Sequence, residues 1–131
     1  MTVHSADDLL ALARARIERV EPRELERLHD AGALVVDIRP QHQRSGDGEL
    51  GFGVVVERNV LEWRFDLLGS HALPEVRGYD QQIVVVCDEG YASSLAAASL
   101  AELGFTRPAD LAGGYQAWRT WSAARATLPA P

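Results

Sequence analysis

Residues 82–104 read QIVVVCDEGYASSLAAASLAELG, and this stretch decides the fold. Residues 82–87 are an apolar, β-branched run without polar alternation, the pattern of a strand buried on both faces. Residues 93–103 follow with Leu95, Ala96, Ser99, Leu100 and Leu103 at helical spacing, and Gly104 closes them. A doubly buried strand feeding straight into a helix implies a parallel sheet flanked by helices. The chain's only cysteine, Cys87, stands where strand becomes helix. Open α/β sheets gather function at that end. The N–H groups of residues 88–93 can curl around its sulfur, and the helix directs its positive end there; both favour a sulfur anion. Gly90 permits the tight turn. Asp88 and Glu89 work against it, and a lone cysteine ending a strand is more often inert packing.

The rest of the chain alternates in the same way. Residues 5–20 read as a helix, with Ser5 and Asp8 as a capping box and Leu9, Leu10, Ala13, Ile17 and Val20 on one face. Pro22 suits the first turn of a second helix, with Leu25 and Leu28 buried and Gly32 as its stop. Residues 33–38 (ALVVDI) form a buried strand. Residues 39–53 are a polar, glycine-rich loop, too long for a mere connector. Residues 54–60 are a strand, 61–68 a short helix or irregular segment, 108–113 a last strand and 115–122 a last helix. No internal repeat or linker interrupts this order.

Bulk properties narrow the function. The 131 residues make one domain with a real core. Hydrophobic residues at 47% and charged residues at 24% are ordinary for a soluble protein. Thirteen basic against 19 acidic residues give a net charge of −6, which repels nucleic acid and anionic lipid. One cysteine with four scattered histidines builds neither an internal disulfide nor a tetrahedral zinc site. Together with an acidic N-terminus and no long apolar stretch, this fits a reducing cytoplasm and no membrane partner.

Several cysteine chemistries lack their partners. A thioredoxin site needs a second cysteine. A nucleophile elbow needs glycine where Val85 and Glu89 stand. None of the four histidines sits in a local pattern that marks a cysteine partner. A tyrosine phosphatase loop closes with an arginine where Ser93 stands, so phosphatase or arsenate reductase chemistry lacks its anion clamp.

Three motifs in order, across about residues 22–118, make the chain resemble a single-domain rhodanese, a sulfurtransferase-type family. LVVDIRP resembles the family's strand ending in Asp-x-Arg, with Asp37 and Arg39 in place. VVVCDEGYASSLAAASLAELGF resembles the active-site strand, six-residue loop (Cys87, Asp88, Glu89, Gly90, Tyr91, Ala92) and helix. LAGGYQAW resembles the closing Gly-Gly-x-x-x-Trp, here Gly113, Gly114 and Trp118.

The resemblance implies a three-layer α/β domain with a mostly parallel sheet over residues 21–125. A helical extension, 1–20, packs on it, and 126–131 form a tail. It implies that Cys87 carries sulfane sulfur as a persulfide in an amide cradle, with no metal or organic cofactor. The implied partners are a small-molecule or protein persulfide as donor and an unnamed sulfur acceptor, for a monomer or homodimer. Two departures bear on substrate. The loop's sixth position, arginine in thiosulfate-using members, is Ala92, and the family's Gly-His-Ile-Pro-Gly-Ala segment is replaced by GELGFG, with Glu49 for the histidine. They point to a donor other than thiosulfate, with a non-catalytic binding or regulatory module as the rival. Asp37, Arg39, Arg64 and Ser93 are candidates for lining the pocket or supporting the loop. Trp63 and Arg64 either wall the pocket and supply the charge that Ala92 lacks, or serve core and surface. Trp118 is expected in the core.

Overall fold

The computed structural model describes residues 2–127. Five strands, β1 Glu18–Val20, β2 Leu34–Asp37, β3 Val54–Val55, β4 Ile83–Val86 and β5 Pro108–Leu111, form one sheet in the order β1-β5-β4-β2-β3. Every neighbouring pair is parallel. The helices are α1 Ala6–Arg14, α2 Pro22–Asp30, α3 Gln41–Asp47, α4 Leu61–Arg64, α5 Ala92–Glu102 and α6 Gly114–Ala126; a 3-10 turn, Arg58–Val60, leads into α4.

Side-chain alternation along the strands divides the core in two. Val36, Ile83 and Val85 point to one face, where Leu61, Phe65, Ala96, Ala97 and Leu100 from the α4 and α5 side cover them. Val35, Val84 and Val86 point to the other, under Leu25 of α2 and Tyr115 of α6. Two covered faces explain why the strands lack polar alternation and why the architecture has three layers. All four residues of β4 are fully buried, each side chain contributing roughly 1.5–3 kcal/mol of transfer free energy.

The structure corrects several boundaries. The helix expected over residues 5–20 ends at Arg14, and Glu18–Val20 form an edge strand paired with Ala109–Leu111. Ile17 and Val20 fit either periodicity; pairing with β5 and the burial of Val20 decide for the strand. Ser5 does cap α1, accepting from the Asp8 N–H at 3.0 Å. The long loop contains α3, a helix with no buried residue and hence no apolar periodicity to reveal it. The strand expected at 54–60 shrinks to two residues. Helix α5 starts at Ala92, inside the expected loop, and buries Ser93, Ser94, Ala96, Ala97 and Leu100, with Leu95 and Leu103 only half-buried. It lies between the sheet and α1, so it has no single apolar stripe. Trp118 is half-buried against Phe52, and Trp63 is 63% exposed. Helix α6 runs to Ala126, the first residue of the expected tail, and residues 128–131 lie outside the described residues. No helix among the described residues is long and apolar enough to cross a membrane.

Candidate active site at the carboxyl ends of β2 and β4

From β2 the chain goes outward to β3, and from β4 to β5 on the other side. The crevice between the carboxyl ends of β2 and β4 is therefore the switch point of the sheet. A cavity of about 340 Å³ opens there. Ile38, Arg39, Pro40 and Gln43 form one wall, Cys87, Asp88, Glu89, Tyr91 and Ala92 the other, and Arg58 stands between them.

Cys87 is 7% exposed, and its sulfur faces the loop interior. Sγ accepts from the Gly90 N–H at 3.1 Å and the Ser93 N–H at 3.3 Å. Among the described residues the N–H groups of Tyr91 and Ala92 have no hydrogen-bond partner. The sulfur thus sits at the N-terminus of α5, inside a ring of amides with donors to spare. Gly90 makes the ring possible. Its φ is +88°, and a Cβ would lie 2.8 Å from the Gly113 nitrogen. Gly114 presses on the loop from the other motif, where a Cβ would meet the Asp88 carbonyl oxygen at 2.5 Å.

Asp37 and Arg39 lie behind the cavity as a buried ion pair. Asp37 accepts from the Arg39 backbone N–H at 3.0 Å, from Nε at 3.1 Å and from Nη2 at 2.8 Å; Nη2 also donates to the Gly48 carbonyl at 3.0 Å. The pair ties the end of β2 to the end of α3. Asp88, flanking the cysteine, accepts from Gln116 Nε2 at 2.9 Å, while Glu89 is exposed. Tyr91, 58% exposed, stands at the mouth. Ser93 contributes its N–H to the sulfur and turns its hydroxyl to buried Asp110 at 2.8 Å.

Arg64 is not brought to the cavity. Its Nη1 donates to the His71 carbonyl at 2.8 Å, and Trp63 does not line the cavity either. Arg58, six residues earlier, takes the place expected of Arg64. Its Nη1 donates to Glu62 at 2.9 Å, and Glu62 also accepts from the Ser99 hydroxyl at 2.5 Å. Burial raises the Glu62 carboxyl, but Ser99 and Arg58 outweigh it and hold it below its ordinary value. Both cavity cations therefore have a carboxylate partner: Arg39 has Asp37 and Arg58 has Glu62.

Residues 21–120 match the sequence profile of the Rhodanese-like domain. The chain belongs to the rhodanese-like family. Its relatives include the thiosulfate sulfurtransferase GlpE of Stutzerimonas stutzeri, 30% identical over 105 residues, which cover 78% of this chain and 84% of that one. A rhodanese homologue from Thermus thermophilus is 31% identical, with a TM-score of 0.55 over 76% of this chain and 99% of the other. A protein of unknown function from Rhodopseudomonas palustris, called a "possible tyrosine phosphatase", superposes with a TM-score of 0.82 at 26% identity, covering 93% and 94% of the two chains. The rhodanese-like motifs converge in space: the Asp37–Arg39 strand end and the Gly113–Gly114 turn both meet at the Cys87 loop and its cavity. Residues without a motif also reach it. Arg14, Arg19, Arg58 and Asp110 belong to none of the three motifs, and nothing in their sequence spacing marks them.

Proposed function

We propose that this rhodanese-like sulfurtransferase-family protein carries sulfane sulfur as a persulfide on Cys87, taken from a donor other than thiosulfate. The observation that carries the reading is the amide ring: two N–H groups already bind Sγ and two more, from Tyr91 and Ala92, are unpartnered beside it. A second sulfur bonded to Sγ would add negative charge within reach of those free donors and of the positive end of α5.

The chemistry is a pair of displacements. The Cys87 thiolate attacks the outer sulfur of a donor persulfide, R–S–S⁻. A new S–S bond forms to Cys87, the donor's S–S bond breaks, and R–S⁻ leaves with the electron pair. An acceptor nucleophile then attacks the outer sulfur of the Cys87 persulfide and takes it, returning the thiolate. Each displacement conserves charge and needs no external oxidant or reductant.

Donor choice follows from charge. Thiosulfate is a compact dianion that needs fixed positive charge near the sulfur. Here Ala92 supplies none, Arg39 and Arg58 are each paired with a carboxylate, and Asp88 and Glu89 add negative charge to the wall. A small-molecule or protein persulfide suits the site better. Phosphate ester chemistry lacks support for the same reason, since the Ser93 hydroxyl is committed to Asp110. The test is incubation with persulfide and thiosulfate donors, read by intact mass. The expected result is a gain of one sulfur atom at Cys87, faster from the persulfide. No gain from any donor would leave a non-catalytic module.

A further inference from the structure

Residues 6–20 precede the matched region 21–120, yet they deliver two guanidiniums to the back of the Cys87 loop. Arg14, at the end of α1, donates from Nη2 to the Gly90 carbonyl at 2.9 Å and from Nε to the Ser94 hydroxyl at 3.0 Å. Its guanidinium also lies 5.7 Å from the centre of the Tyr91 ring. Arg19, on β1, donates from Nη2 to the same Gly90 carbonyl at 2.8 Å and from Nε to Asp110 at 3.0 Å. Asp110 is fully buried and also accepts from the hydroxyls of Ser93 and Ser94. One carbonyl of the sulfur-binding turn is thus gripped by two cations, with a single carboxylate set against them.

We infer that Arg14 and Arg19 are positioning residues of the sulfur site, which makes the N-terminal segment part of the catalytic unit. The Gly90–Tyr91 peptide is trans. Anchoring its carbonyl to the arginines therefore turns the Tyr91 N–H the opposite way, which keeps that donor free. Drawing the carbonyl's electron density toward two cations also polarises the peptide and makes this N–H a stronger donor. The same two charges stand behind the loop, outside the cavity lining, where they favour an anion on Sγ without giving a donor the cationic contact that Ala92 withholds. Arg19 is partly neutralised by Asp110, so Arg14 contributes most of the uncompensated charge.

The catalytic consequence rests on the persulfide reading, so the test has one arm that does not. Arg14→Ala should slow alkylation of Cys87 by iodoacetamide at neutral pH several-fold, because a thiolate is the reacting species. It should lower kcat for sulfur transfer about tenfold with KM for the donor little changed, the loss expected for one hydrogen bond to a charged group. Arg14→Lys, which keeps the charge but not the fork, should restore part of both. Arg19→Lys should move both readouts in the same direction as Arg14→Ala; it is preferred to Arg19→Ala, which would strand buried Asp110. Circular dichroism gives the folded fraction for each variant. Unchanged alkylation and kcat in Arg14→Ala, or losses that only track the folded fraction, would overturn the inference. Slowed alkylation in a protein that takes sulfur from no donor would uphold the clamp and remove the persulfide reading alone.

Discussion

The Arg39 guanidinium lies 3.8 Å from the centre of the Tyr115 ring, and the Tyr115 N–H donates to the Cys87 carbonyl at 2.8 Å. Two motifs far apart in the chain are therefore stacked on one another, and the second holds the backbone of the cysteine. Asp37 orients Arg39 through the bidentate contact described above, and the Tyr115 hydroxyl reaches the Asp47 carbonyl at 3.1 Å. The Asp-x-Arg strand end supports the loop from behind, through Tyr115, as well as lining the cavity.

Removing Arg39 strands the Asp37 carboxylate, which is 1% exposed. Arg39→Ala should cost about 3–5 kcal/mol, as breaking a buried pair on one side does. Arg39→Lys should fall between the two, since it keeps the charge and loses the fork. Urea unfolding midpoints decide this. A midpoint in Arg39→Ala equal to wild type would mean that the pair does not hold the strand end.

Cys87→Ser should abolish every gain of sulfur, because the chain has no second thiol, while retaining cooperative unfolding. Intact mass after incubation with a donor, alongside a thermal melt, gives both answers. Sulfur retained by the Ser variant would place the chemistry elsewhere.

Gly114 has φ +64°, and an added Cβ would lie 2.5–2.6 Å from atoms of the Asp88–Glu89 peptide. Gly114→Ala should therefore push the loop and cost about 1–3 kcal/mol in strain. Sulfur loading should slow by more than the loss of folded protein explains. Loading per folded molecule at the wild-type rate would show that the turn tolerates the displacement.

Ala92 lines the cavity and is exposed. Placing a guanidinium there adds a full charge and a fork, and hydrogen bonds to charged groups contribute about 1.5–3 kcal/mol. Ala92→Arg should raise thiosulfate turnover by about tenfold or more, and neutralising Asp88 and Glu89 together should raise it further. Brisk thiosulfate turnover by the native protein, unchanged in Ala92→Arg and lost in Arg58→Ala, would instead identify Arg58 as the clamp.

Glu62 is held below its ordinary value of 4.5 in the folded protein. A carboxyl depressed in this way stabilises the fold above its unfolded pKa, and that contribution disappears as pH falls through the lower, folded value. Stability should therefore decline with acid below about pH 4.5, and Glu62→Gln should flatten that part of the profile. Thermal midpoints between neutral pH and about pH 3 test the sign. A Gln variant with the same acid slope would assign the decline to other carboxyls.

Much of the site was legible because its chemistry is local. Cys87, the turn at Gly90 and the helix that follows lie within 16 consecutive residues. Their geometry depends on strand-to-helix succession and on one positive φ, both of which leave marks in residue type. The doubly buried strands were legible for a similar reason, since the absence of polar alternation is itself a pattern. Helix α3 was not, because a helix that buries no residue has no apolar stripe to display.

The amino-acid sequence by itself determined the layered α/β architecture, the position of the sulfur and the lack of a cation in the loop. Only the tertiary structure decided which cations come near it. Arg64 and Arg58 are six residues apart and chemically alike, yet the turn before α4 gives the cavity to Arg58 and directs Arg64 to the His71 carbonyl. Arg14 and Arg19 are 76 and 71 residues from Gly90 in the chain. They meet its carbonyl because β1 pairs with β5 at the sheet edge and α1 packs on α5. Long polar side chains carry no periodicity of their own, so their partners are set by the packing of the elements that bear them.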